Sequence, residues 1–79
     1  MKRENNKEEV REFIENGGRC FYRYGYGWKG AEKREIPMEK ALSLLPSYSF
    51  GMGFYELIWA KVDGEDAIIF NEYSENDLY

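Results

Sequence analysis

The spacing of apolar positions along the chain passes from a helical period to a strand period, and then repeats that change. Val10, Phe13 and Ile14 recur at i, i+3, i+4 and predict a first helix. Asn6 is placed to cap it, with Glu9 three residues on reaching back, and Gly17-Gly18 supplies a left-handed stop. From Arg19 to Trp28 the sequence RCFYRYGYGW alternates. Cys20, Tyr22, Tyr24, Tyr26 and Trp28 share one face, and Arg19, Phe21, Arg23, Gly25 and Gly27 share the other. A strand to about Tyr26 and a turn through residues 27–30 follow from this pattern. Residues 31–36, AEKREI, read either as a short charged edge strand or as an extended loop.

Helical spacing returns at Met38, Ala41, Leu42 and Leu45, with Pro37 suited to the first helical position and Pro46 ending the run. Residues 47–53, SYSFGMG, form a loop apolar enough to fold back onto a core. The strongest signal comes last. Residues 54–73 hold two apolar strands joined at Asp63-Gly64, both of which tolerate the positive φ of a tight hairpin turn. A two-residue and a four-residue loop keep the same parity. One hairpin face therefore carries Phe54, Glu56, Ile58, Ala60 and Val62 with Ala67, Ile69, Asn71 and Tyr73. The other carries Tyr55, Leu57, Trp59 and Lys61 with Ile68, Phe70 and Glu72.

The expected fold is an α+β domain: a small antiparallel sheet in the order α-β-β-α-β-β, with two helices packed on one face. The helices are expected over the aromatic face (Tyr22, Tyr24, Tyr55, Leu57, Trp59, Ile68, Phe70), since covering it removes more apolar surface from water. Against this, Gly25, Gly27, Ala60 and Ala67 on the other face would let a helix approach closely.

Composition bounds the picture without changing it. Seventy-nine residues make one domain, 1–79, with residues 1–5 and 74–79 expected to be flexible. An 18% aromatic content gives a short chain the means to build a core. A single cysteine, Cys20, forms no internal disulfide, and the chain has neither a long apolar run nor an apolar N-terminus. Cytoplasmic placement, with no membrane span, is the expectation.

Charge is uneven. The net charge is −4, yet residues 19–34 carry Arg19, Arg23, Lys29, Lys33 and Arg34 against Glu32 alone. Residues 53–79 carry seven acids against Lys61. An acidic total argues against nucleic acid as the main partner.

Candidate chemistry is sparse. Residues 25–30, GYGWKG, match G-x-G-x-x-G, but AEKREIP follows where a nucleotide loop requires a helix, so a turn between strands is the better reading. Arg19 and Arg23 flank Cys20, yet no histidine exists to act as a base for the thiol. The same lack, with one cysteine, excludes the usual zinc sites. Asp63, Glu65 and Asp66 lack the alternating oxygen spacing of a calcium loop. No catalytic, cofactor-binding or metal-binding residues are assigned.

With the helices on the aromatic face, Phe21, Phe54, Ile58 and Ile69 are left partly open, ringed by Arg19, Arg23 and Glu56. An apolar centre with a charged rim is what a protein interface presents. The expected function is a non-catalytic module that binds another protein or a second copy of itself through these seven residues, unless residues 47–53 fold over them. Two alternatives stand beside it. One is single-strand nucleic-acid binding through the aromatic–basic stretch 19–29. The other is an acidic inhibitor that mimics nucleic acid toward a basic target.

Overall fold

The computed structural model describes residues 7–24, 33–50 and 54–72. Their elements are α1 (Lys7–Glu15), β1 (Arg19–Tyr24), β2 (Lys33–Ile36), α2 (Met38–Leu44) with a 3-10 turn (Leu45–Ser47), β3 (Tyr55–Val62) and β4 (Glu65–Glu72). The expected cap at Asn6, the strand end at Tyr26, the turn at 27–30 and both flexible termini lie outside the described residues.

Local chemistry explains the breaks. Gly18 N donates to Phe13 O at 2.9 Å and Gly17 N to Ile14 O at 3.0 Å, a Schellman stop with Gly17 at φ 92°. Asp63 and Gly64 both have positive φ, at 55° and 81°, which gives the tight hairpin turn its hand. Pro37 sits one place earlier than expected, as the N-cap of α2, because its extended backbone (φ −75°, ψ 165°) leaves the helix to begin at Met38. Pro46 is absorbed into the 3-10 turn, whose Pro46 carbonyl accepts from Lys7 Nζ at 2.9 Å and so ties α1 to the end of α2.

The four strands form one sheet in the order β2-β1-β4-β3. β1–β2 and β3–β4 are antiparallel, but β1 and β4 run parallel, so the sheet is mixed rather than antiparallel. The correction has a physical cause. Ala67 to Asn71 are buried without a break, the mark of a strand covered on both faces, so β4 takes the centre. β3, half exposed along most of its length, takes the edge. With β4 at the centre, the chain crosses over through β2, α2 and β3 before returning beside β1.

Both helices lie over the aromatic face, as burial area predicts. The main core joins Val10 and Ile14 of α1, Ala41 and Leu45 of the α2 region, and Cys20, Leu57, Ile68 and Phe70 of the sheet. Tyr48 and Phe50 join this core too, so this part of the loop packs on the helix side and not over the opposite face. Phe13 meets Trp59 edge-on at 5.1 Å, and Tyr48 meets Phe70 edge-on at 5.2 Å. No helix among the described residues is long and apolar enough to cross a membrane.

Candidate functional site

The face turned away from the helices is assembled by strand register. Glu35, Phe21, Ile69 and Ile58 form one row across β2, β1, β4 and β3. Lys33, Arg23, Asn71 and Glu56 form the next row, and Arg19, Ala67 and Ala60 the row on the other side. Phe21, Ala67 and Ile69 make a second apolar cluster, with Ile58, Ala60 and Val62 packed against it and partly accessible.

Six of the seven residues singled out from sequence come together here. Phe21, Ile69 and Ile58 are adjacent, Arg23 and Glu56 flank them, and Arg19 lays its guanidinium 5.0 Å from the Phe21 ring centroid. Phe54 stands apart, just before β3 and 43% exposed. Phe21 and Ile69 are more enclosed than expected, at 6% exposure each, because both lie on central strands with a neighbour on either side.

Arg19 is bonded to two carboxylates. Its Nε donates to Glu35 Oε2 at 3.1 Å and its Nη2 to Glu35 Oε1 at 3.0 Å, a two-pronged pair, while Nη1 reaches Asp63 Oδ2 at 3.4 Å. These carboxylates raise the guanidinium above its ordinary pKa, and the hydrogen bond from Arg19 lowers that of Glu35. Glu35 and Asp63 escape a reading of the sequence because their role depends on the β1–β2 register and on where the hairpin turn falls.

Asn71 lies on this face, as the parity of the hairpin requires. It is fully buried, and neither its amide nitrogen nor its amide oxygen has a hydrogen-bond partner. Such an unsatisfied group costs about 1–3 kcal/mol. The signal in the sequence is a lone polar residue at the end of the apolar run AIIF, in what proves to be a central strand.

Other chemistry is muted. Cys20 is buried in the helix-side core and its Sγ lies 3.7 Å from Gly18 O; burial foremost, then the charge of Glu35, pushes its thiol up to about 11. An open cleft of about 380 Å³ lies between the α1 stop and the start of β4, lined by Phe13, Arg19, Glu65 and Asp66 among others, and its charges are mixed in sign. The aromatic–basic stretch is divided by its own alternation: Arg19 and Arg23 point to one face, and Tyr22 to the other. Tyr26, Trp28 and Lys29 lie outside the described residues. Comparison with protein-family models, with curated proteins and with solved structures gives no match.

Proposed function

We propose that the chain is a cytoplasmic, non-catalytic protein-binding module whose working surface is the sheet face turned away from the helices, and whose partner is a second copy of itself. The observation that carries this reading is the second apolar cluster. Phe21, Ala67 and Ile69 form its floor, and Ile58, Ala60 and Val62 continue it toward the edge strand with surface still accessible. Arg23 and Glu56, opposite in sign, lie in one row on either side of Asn71. Two such faces related by a two-fold axis would bring Arg23 of each copy toward Glu56 of the other, while Ile58, Ala60 and Val62 leave water.

Light scattering across a concentration series tests the proposal. The wild-type protein is expected to gain mass with concentration, and Ile58→Glu, which puts a charge in the accessible part of the cluster, is expected to stay monomeric while remaining folded. A wild-type protein that is monomeric at every concentration overturns self-association.

A further inference from the structure

At one end of the sheet, on the helix side, a carboxylate is set among tyrosines. Tyr24, Glu72 and Tyr55 are direct neighbours across β1, β4 and β3. One row further in, Tyr22 donates its hydroxyl to Glu72 Oε2, and Tyr48 Oη approaches the same oxygen at 3.5 Å. The Tyr48 ring meets Tyr55 edge-on at 5.3 Å. Tyr48 is buried, whereas Tyr24 and Tyr55 are each 49% exposed. Among the described residues no cation pairs with Glu72. Arg34, the ladder neighbour of Tyr22, makes no ion pair with it.

We infer that Glu72 with Tyr22, Tyr24, Tyr48 and Tyr55 is a receptor for an alkylated ammonium group. The two exposed tyrosines are two strand spacings apart, about 10 Å between their backbones, and stand on either side of Glu72. Rings attract a cation through the negative charge of their faces, and do so best when the cation is weakly hydrated. The carboxylate supplies a full opposite charge behind them.

The hydrogen-bonding inventory selects the class of cation. A bare lysine ammonium carries three donors that need acceptors. Here Glu72 Oε2 already serves the Tyr22 hydroxyl, with that of Tyr48 beside it, and one carboxylate oxygen is left over. An ammonium whose hydrogens are replaced by methyl groups needs only charge and ring faces, which is what the cluster offers. Burial, together with the Glu72 charge, holds the Tyr22 and Tyr48 hydroxyls protonated well into the alkaline range, so both stay neutral donors.

The receptor lies on the opposite side of the sheet from the self-association face, so either proposal can fail alone. Its test is a titration of the full chain with tetramethylammonium, choline, a trimethyllysine peptide and the neutral tert-butyl analogue of choline, read from the tyrosine ring resonances. Saturable shifts at Tyr24 and Tyr55 are expected with the cations, and binding at least about tenfold weaker with the neutral analogue. Tighter binding of the peptide than of choline assigns the ammonium to a modified protein, and the reverse assigns it to a free small amine. Tyr24→Ala and Glu72→Gln are each expected to weaken binding about threefold or more. Tyr24 is half exposed, so its variant remains decisive if Glu72→Gln unfolds the chain. Absence of saturable shifts, equal binding of the neutral analogue, or unchanged affinity in Tyr24→Ala overturns the inference.

Discussion

Phe21 stands directly beside Ile69 in the parallel β1–β4 ladder, and both are almost enclosed although they lie on the face without helices. Their burial makes this side of the sheet part of the stability of the fold as well as a surface. Ile69→Ala is therefore expected to cost about 2–5 kcal/mol, as a large-to-small change in a packed site does. Ile58→Ala, on the half-exposed edge strand, is expected to cost about 1 kcal/mol. Urea unfolding of the two variants measures both values. Equal, small losses would show that Ile69 is not packed as described.

Asn71 reverses the usual direction of a core substitution. Its buried amide has no partner, so Asn71→Leu removes an unsatisfied donor and acceptor while nearly preserving shape. The variant is expected to be more stable than wild type by about 1–3 kcal/mol in the same unfolding measurement. A clear loss of stability would mean that the amide is bonded in solution.

Alkaline pH is expected to weaken the fold through Tyr22 and Tyr48. Burial foremost raises both hydroxyls, Tyr48 to about 12, above the ordinary tyrosine value of 10.0. Between those values the folded chain holds protons that the unfolded chain has released, so stability falls as pH rises. The contribution is intact below pH 10 and drains away toward pH 12. Tyr48→Phe should flatten that slope in thermal melts recorded across this range. An equally steep slope in the variant would place its cause elsewhere.

Local features of this fold are legible in its sequence, and long-range ones are less so. Gly17-Gly18, Asp63-Gly64 and the alternation of the hairpin act over a few residues, and each produces the stop, turn or face that its chemistry requires. The choice of helix-covered face is legible as well, since it follows from comparing apolar area. Strand order is not local. The unbroken run Ala67-Ile68-Ile69-Phe70 marks β4 as central, but alternation within a strand sets its faces and not the direction of its neighbours. The burial of Asn71 and the two-pronged grip of Glu35 on Arg19 depend on that order and on register, so neither can be read before the strands are placed.

Methyl resonances followed through a dilution series of the wild-type protein test the central claim most directly. Those of Ile58, Val62 and Ile69, on the face away from the helices, are expected to shift with concentration. Those of Val10, Ile14 and Ile68, inside the helix-side core, are expected to hold still. Ile58→Glu should remove the concentration dependence. Methyl shifts on that face that stay constant at every concentration, from a protein of monomer mass throughout, would contradict the account.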